Sequence, residues 1–186
     1  MFRFAQQALA SLDLRAVASA PMKELHHQTD ETIHLAVLEG NRAVYIDKLD
    51  STQTVRMFSR VGADAPLHCS GVGKAILAFV DSTSLAGLLK GYDIFRRTDQ
   101  TICSLTALRE ELERIRESGY AIDNQENEEG IHCVAAPILD AAGAVEGSIS
   151  VAAPVSRVDS ERLVSYAPLV MAAARRISEE LGWIET

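Results

Sequence analysis

The stretch from Pro66 to Ala75 constrains the fold most, because it predicts a loop that runs directly into a helix. Ser70 is a good N-cap, since its hydroxyl can accept a hydrogen bond from a backbone N–H two or three residues later. Gly71, Val72 and Gly73 then occupy the first turn, whose N–H groups have no acceptor within the helix. These donors favour a bound anion, and the glycines leave the backbone accessible to a small carboxylate or phosphate. The alternative is a helix start built from small residues for close packing.

Length and composition indicate a globular domain, and the cysteine content indicates a reducing compartment. The 186 residues fit one domain, and 47% hydrophobic with 24% charged residues is ordinary for a soluble protein. No apolar run approaches the ~20 residues that span a bilayer, and the N-terminus lacks the pattern of a secretory signal. Three scattered cysteines do not form a disulfide framework, which favours the cytoplasm. A net charge of −8 without a basic cluster predicts poor binding of duplex DNA by this chain.

Helix and strand signals alternate along the chain. Apolar residues at helical spacing (Phe4, Ala8, Leu12 and Val17) predict a helix over 2–19, and Pro21 suits the start of a second one. Further helices are predicted over 71–80, 81–91, 105–117 and, after Asp159, to Gly182. Strands are predicted over 32–38, 43–49, 54–60, 120–123, 131–140 and 145–153. Because the strands are joined largely by hairpins, the pattern predicts an α+β fold with an antiparallel sheet flanked by helices.

The last hairpin has one face of small, mildly polar residues. Alternate strand residues share a face, so Ile131 and Cys133 look one way while His132 looks the other. In the partner strand Ser150 and Ala152 share a face with Ser148. Such a face can leave room for a ligand and offer it hydrogen bonds. The alternative is that small residues simply let a helix pack closely.

Other chemistry-bearing motifs point to weaker hypotheses. The pairs His68-Cys69 and His132-Cys133 suggest zinc, but adjacent strand residues face opposite ways and the chain lacks the usual ligand spacing. Cys133 as a nucleophile would need a histidine base, and His132 should point away from it. Gly73-Lys74 fails the P-loop pattern, because an upstream glycine is missing and Ala75 replaces Ser or Thr. We therefore expect no metal, no cofactor and no catalytic residue.

Ordered motifs lie over 31–37, 44–48, 66–75, 109–112, 119–121, 123–124, 128–138 and 147–151. Together they resemble the C-terminal, effector-binding part of IclR-type transcriptional regulators. The likeness covers nearly the whole chain, and within the family it is greatest to regulators of sugar-acid breakdown. It implies a GAF-like fold over 21–186, with residues 1–20 as the end of a helix that links this domain to a winged helix-turn-helix reader absent from this chain.

The resemblance also implies a set of ligand-binding positions. Backbone N–H groups of Gly71 and Val72 would hold a ligand carboxylate, next to the cap Ser70. The other positions would line the pocket as an acid, a thiol, a hydroxyl and apolar walls; they are Asp123, Cys133, Ser150, Met57, Ile131 and Ala152. Ala152 stands where some members have a second serine, and Thr54 where the wall is often larger and apolar.

The sequence thus predicts a small-molecule-sensing domain of a bacterial transcriptional regulator. The expected effector is a keto, hydroxy or sugar acid, with an ionised Asp123 accepting bonds from its hydroxyls. The full-length protein would bind DNA only through its N-terminal domain and form a cytoplasmic homodimer or homotetramer without contact to a membrane. Two alternatives stay open: a cysteine-dependent enzyme acting on a keto acid, and an oligomerisation module with a vestigial pocket.

Overall fold

The computed structural model describes residues 2–55 and 57–184, with side chains from Leu14 onward. Within these residues the chain forms six helices and six strands. The helices are α1 (Phe2–Thr29), α2 (Gly71–Phe79), α3 (Ser82–Leu89), α4 (Leu105–Ser118), α5 (Ser160–Ser165) and α6 (Ala167–Glu180). The strands are β1 (Thr32–Glu39), β2 (Arg42–Leu49), β3 (Asp64–Ala65), β4 (Ala121–Asn124), β5 (Ile131–Leu139) and β6 (Val145–Pro154). The side chains of Phe4, Ala8 and Leu12 lie outside the described residues.

The described strands make one sheet in the order β3-β2-β1-β6-β5-β4, and every neighbouring pair is antiparallel. The central pair β1 and β6 brings His34 opposite Ser150, and the β5–β6 hairpin brings Cys133 opposite Ala152. The α+β class and the antiparallel sheet flanked by helices, both predicted from the sequence, are confirmed. None of the described helices is both long and apolar enough to cross a membrane.

Each face of the sheet is covered by helices over its own apolar core. One core joins α1, α5 and α6 to Ile149 and Val151 of β6. The other joins α2 and α4 to Ala135 of β5 and Ala121 of β4. Because strand residues alternate between these faces, Cys133, Ser150 and Ala152 lie on the α2 side. The parity predicted for the hairpin is confirmed.

Helix caps follow the sequence signals closely. Ser70, Asp81, Ser104 and Asp159 each accept a hydrogen bond from a backbone N–H in the first turn of the following helix. Gly119 ends α4 in the left-handed conformation with φ of 79°, a geometry that glycine adopts without strain. These caps fix the entry points of the helices that carry the candidate site.

Three expected boundaries are wrong. Pro21 does not start a new helix but lies within α1, because Leu14, Ala18, Met22 and Leu25 form one continuous buried stripe across it. Burial of such side chains, about 1.5–3 kcal/mol for each large one, offsets the roughly 3 kcal/mol cost of an internal proline. The predicted closing helix is divided at Tyr166, since Pro168 lies in the first turn of α6 and lacks the N–H that would continue α5.

The third strand lies at 64–65 and not at 54–60. Val55 and Phe58 are 63% and 87% exposed, while Met57 between them is buried. Side-chain contacts hold the segment, since Lys48 Nζ donates to the Ser59 carbonyl at 2.7 Å. Asp64–Ala65 pairs with β2 instead. The described residues of this segment, 54–55 and 57–60, therefore lie outside the strand ladder.

Candidate functional site

A small cavity lies between the start of α2 and the α2 face of the sheet. Nine of the positions predicted from the sequence line it, and three unpredicted residues complete its wall. Thr54, also expected at the wall, is exposed and does not line the cavity, because its segment does not join the sheet. The lining residues are His34, Tyr45, Met57, Ser70, Gly71, Val72, Asp123, Asn127, Ile131, Cys133, Ser150 and Ala152.

The start of α2 is built as the N-cap predicts. Ser70 Oγ accepts from the Gly73 N–H at 3.1 Å and donates to the Pro66 carbonyl at 2.6 Å. The Gly71 N–H bonds to the Cys133 sulfur. The Val72 N–H precedes the first intrahelical hydrogen bond, which runs from the Lys74 N–H to the Ser70 carbonyl, so the helix itself offers it no acceptor. Of the two amides expected to hold a carboxylate, Val72 therefore offers the free donor.

Close packing, the alternative interpretation, accounts for both glycines. A Cβ added at Gly71 would lie 2.3 Å from Cys133 Sγ, and one at Gly73 would lie 2.5 Å from the Pro66 carbonyl oxygen. Glycine is therefore required at both positions to seat α2 against β5 and the preceding loop. Ligand access to the backbone is not the reason for the glycines, although the same close approach brings the Val72 amide to the cavity.

The hairpin floor carries one satisfied and one unsatisfied hydroxyl. Ser148 Oγ donates to the Val72 carbonyl at 3.1 Å. Ser150 Oγ is fully buried, lines the cavity and makes no hydrogen bond with any residue that the structure describes. A buried polar group without a partner costs about 1–3 kcal/mol, so a polar ligand atom that bonds to Ser150 would stabilise the folded domain.

Asp123 brings a carboxyl group to the cavity from β4. Only 5% of the residue is exposed. Its Oδ1 accepts from the N–H groups of Glu126 and Asn127 at 2.8 and 3.3 Å. Burial and the nearby Glu126 raise the pKa of Asp123 to about 7. The expectation of a fully ionised Asp123 therefore needs revision, because near neutral pH the carboxyl exists in both protonation states.

A buried ion cluster lies behind the start of α2. Lys74 is fully buried, and its Nζ donates to Glu126 Oε1 at 2.5 Å, to the Ile122 carbonyl at 2.6 Å and to Glu111 Oε1 at 3.1 Å. Glu111 also pairs with Arg114 at 2.5 Å. Although burial opposes the charged form of Lys74, these two carboxylates raise its pKa overall. The cluster ties α2 to α4 and to the turn that positions Asp123.

Sequence reasoning missed His34, Tyr45 and Asn127. His34 stacks on Tyr45 with ring centroids 4.4 Å apart, and its Nε2 bonds to Ser59 Oγ at 2.7 Å. Burial and the nearby Lys48 lower the pKa of His34 to about 3, so the ring is neutral. Alternation along β1 contained the signal, since it puts His34 on the face opposite that of Ile33 and Leu35.

The cavity is nearly closed in this structure. The space open to the centre of a water molecule is about 10 Å³, room for about one water and far below the ~150 Å³ cavity that holds benzene in an engineered protein. Met57 closes the site by packing on Cys133 and Ala152. It belongs to the segment that joins β2 to β3, whose described residues 50–55 and 57–60 we call the cover segment. A six-atom acid requires this segment to move outward.

The cover segment is held mainly by polar contacts at its ends. Thr52 and Gln53 donate to the Asp30 carboxylate at 2.7 Å each. Arg157 donates to the Val55 carbonyl at 2.6 Å and forms a two-point ion pair with Glu31. None of the described residues of this segment belongs to the strand ladder, so a shift of the segment would leave the hydrogen bonds of the sheet in place.

The thiol chemistry considered from the sequence lacks its partners. Burial, with the nearby Asp123, raises the pKa of Cys133 well above its usual range, so the thiol is not an activated nucleophile. His132 lies on the opposite sheet face, where burial lowers its pKa, and His34 is a very weak base. Among the described residues, no group of three or more His, Cys, Asp or Glu side chains is placed to hold a metal.

Comparison with known proteins identifies the family. Residues 6–179 match the family described as bacterial transcriptional regulator IclR C-terminal. The chain is 40% identical to the HTH-type transcriptional regulator KdgR of Escherichia coli K12 over 98% of its own length and 70% of that protein. A regulator of the same name from Dickeya chrysanthemi is 37% identical, and the chain spans 60% of its length.

Solved structures agree with the sequence matches. The crystal structure of Thermotoga maritima IclR superposes with a TM-score of 0.89 at 34% identity, covering 97% of this chain and 74% of that one. The C-terminal domain of E. coli KdgR superposes with a TM-score of 0.83 at 38% identity, covering 92% of this chain and 99% of that domain. The relatives are named as regulators and not as enzymes. The chain belongs to the IclR family of bacterial transcriptional regulators and comprises its C-terminal regulatory domain.

Proposed function

We propose that this domain binds a small carboxylic acid, of the keto, hydroxy or sugar-acid class, in the cavity at the start of α2. The acid would act as the effector of the full-length regulator. The described lining residues include an unpaired main-chain donor, a buried hydroxyl, a carboxyl and apolar walls. This combination suits a ligand with one anionic end and one or more hydroxyl or keto oxygens.

The observation that carries the proposal is the unsatisfied hydroxyl of Ser150 beside the free Val72 amide. Ser150 Oγ is buried without a partner, in a fold that otherwise satisfies Ser148 on the same strand. A ligand oxygen would give this buried hydroxyl a hydrogen-bond partner. The Val72 N–H, at the positive end of the α2 dipole, would bind the carboxylate.

Binding is coupled to movement of the cover segment. Because the closed cavity holds about one water, the acid must displace Met57 before it reaches Ser150. Displacing Met57 moves the segment between β2 and β3, and such a two-state element is what an effector needs to influence a distant domain. A coupling of about 1–3 kcal/mol is typical for such regulation.

Thermal unfolding with a panel of acids tests the proposal. Pyruvate, lactate, gluconate and glucuronate would be added up to 10 mM to the purified domain. A six-atom acid gains at most ~9 kcal/mol, so Kd is about 1 μM or weaker. Ligand at 100 times Kd stabilises by about 2.7 kcal/mol, which raises Tm by roughly 5–10 °C in a domain of this size. Saturable stabilisation by at least one acid is expected.

Ser150→Ala is the sharpest variant, because its two expected effects have opposite signs. Removing an unsatisfied buried hydroxyl should raise Tm in the absence of ligand. The affinity for the acid, in contrast, should fall at least tenfold, so the acid should stabilise this variant less. Ser148→Ala is the matched control on the same strand. It removes a satisfied hydroxyl, so it should lower Tm without ligand.

Each alternative function gives a different result. A domain that only mediates oligomerisation would show no stabilisation by any acid, which would refute the proposal. A cysteine-dependent enzyme would consume a keto acid and lose that turnover in Cys133→Ala. A receptor binds the acid and releases it chemically unchanged.

The role in the whole regulator follows from the family. We propose that residues 1–20 end a helix that connects this domain to an N-terminal DNA-binding domain, which alone contacts DNA. Leu14 and Ala18 of α1 pack in the core under the sheet, so a shift of the domain would be transmitted along α1. The regulator would act in the cytoplasm as a homodimer or homotetramer, with no contact to a membrane.

A further inference from the structure

We infer that binding of the acid takes up one proton from solvent onto Asp123, whose neutral carboxyl then donates a hydrogen bond to the ligand. This inference rests on the proposed function, because it needs an acid in the cavity. It differs from the sequence expectation, in which an ionised Asp123 only accepts bonds. It also makes the affinity for the effector depend on pH.

The geometry of Asp123 leaves one oxygen for this role. Both backbone donors, the N–H groups of Glu126 and Asn127, bind Oδ1. No described residue donates to Oδ2, and Asp123 shares the cavity with Val72 and Ser150. A proton on Oδ2 converts this acceptor into a donor within reach of a bound ligand oxygen. Ionised, the same oxygen would repel the carboxylate that the Val72 amide attracts.

Charge balance around Asp123 favours the neutral form. Lys74, the buried cation on this side, is already paired with Glu126 and Glu111, and Glu111 is also paired with Arg114. An ionised Asp123 is therefore one buried negative charge without a cation of its own. A ligand carboxylate adds a second negative charge to the same closed space. Taking up a proton removes one of the two.

The other titratable groups that face Asp123 cannot relieve this repulsion. Tyr45 of β2 and Cys133 of β5 carry raised pKa values because both are buried, and burial raises the pKa of Cys69 to about 12. All three are therefore neutral at physiological pH. His34 of β1 is also neutral, because its pKa is about 3.

The charges farther out lie at the cavity edge. Glu128 adds negative charge near Tyr45. Arg97 lies beside the same turn, where its Nε donates to the Asn127 carbonyl at 2.7 Å, and it is solvent-exposed. An exposed cation is screened by water. Burial also raises the pKa of Glu126, but that carboxyl is paired with Lys74 and does not line the cavity. Asp123 is therefore the carboxyl of the cavity lining that can take up a proton when the acid binds.

Titration calorimetry in HEPES and in Tris measures the proton directly, since the two buffers differ in ionisation enthalpy. The probe is gluconate, or whichever of the four panel acids stabilises the domain most. With the Asp123 pKa at about 7 in the free domain, uptake of about 0.9 proton is expected at pH 8 and nearly none at pH 5.5. For the same reason, Kd should rise about eightfold between pH 7.5 and pH 8.5.

Asp123→Asn and Asp99→Asn are the variant and its control. The asparagine keeps an oxygen for the backbone amides and supplies an N–H donor in place of the protonated oxygen. Its Kd should therefore not change between pH 6 and 8.5, with no proton uptake. Asp99 is exposed and does not line the cavity, so Asp99→Asn should keep the wild-type uptake.

The outcomes separate this inference from the proposed function. Absence of binding by every panel acid would refute the proposed function itself. Binding with no proton uptake at pH 8, or with proton release, would overturn only the inference. If Asp123→Asn does not fold, the Asp123 carboxyl carbon of the wild-type protein can be followed by NMR. Its chemical shift at pH 8 should move to that of the protonated acid when the ligand binds, and an unchanged shift would contradict the inference.

Discussion

The close approach of Gly71 to Cys133 predicts that substitutions at these two positions are strongly coupled in their effects on stability. A Cβ added at Gly71 would lie 2.3 Å from the Cys133 sulfur, so Gly71→Ala must displace a buried side chain. Overpacking of this kind costs about 1–3 kcal/mol. Cys133→Ala removes the sulfur, and the added Cβ then has its nearest neighbours at Ala135 Cβ (3.5 Å) and Asp123 Cβ (3.7 Å), which are ordinary contacts.

The double variant should therefore be more stable than Gly71→Ala alone. Cys133→Ala alone leaves a void of about one sulfur atom and costs roughly 1 kcal/mol. In the double variant the Cβ of residue 71 fills that void, so both penalties are largely removed. The expected interaction energy between the two substitutions is about 1–3 kcal/mol, in the stabilising direction.

Urea unfolding at pH 7 and 25 °C of the wild type, both single variants and the double variant gives this energy. The m-value should be the same in all four proteins, because the folded surface hardly changes. If the two single effects add within about 0.5 kcal/mol, α2 does not approach β5 as closely as described here. That result would remove the structural basis for the free Val72 amide.

Three further predictions concern neighbouring groups. Because the pKa of Asp123 is raised to about 7 from 3.8, the folded state binds more protons than the unfolded state between about pH 4 and 7, and stability falls as pH rises through that window. As pH rises from 4 to 8, the free energy of unfolding of Asp123→Asn should therefore increase by up to roughly 4 kcal/mol relative to that of the wild type. Urea unfolding that shows the same difference between the two proteins at every pH would contradict this. Ser70→Ala removes the cap on Gly73 and should lower stability by about 1 kcal/mol. It should also weaken acid binding in the thermal assay. The control Ser104→Ala, which removes the cap of α4, should cost as much stability without affecting binding. Lys74→Met leaves Glu126 buried without its cation and should lower the free energy of unfolding in urea by about 3–5 kcal/mol. The double variant Lys74→Met/Glu126→Gln should recover a part of this loss. No recovery would mean that the ion pair is not the source of the loss.

Local rules predicted much of the site from the sequence. Strand alternation was sufficient to bring Cys133, Ser150 and Ala152 to one face, because burial of the opposite face under α1 and α6 fixes the register. The cap signal at Ser70 fixed the start of α2 to the residue. These features depend on neighbours a few positions apart in the chain.

What the sequence did not reveal depends on packing between distant segments. Nothing near Pro21 shows that the buried stripe of α1 continues across it, and nothing near Phe58 shows that its segment covers a cavity. The raised pKa of Asp123 arises from burial and from Glu126. His34 enters the wall only because β1 pairs with β6 opposite Ser150. Each of these features requires the tertiary structure.

The account depends most directly on the backbone amide of Val72 as the acid-binding group. Titrating a ¹⁵N-labelled domain with gluconate, or with the panel acid that stabilises it most, follows that amide by NMR. We expect saturable chemical-shift changes that are largest at Val72 and Ser150 and small at Ser104. Stabilisation by the acid while the Val72 amide resonance stays unchanged would contradict the account.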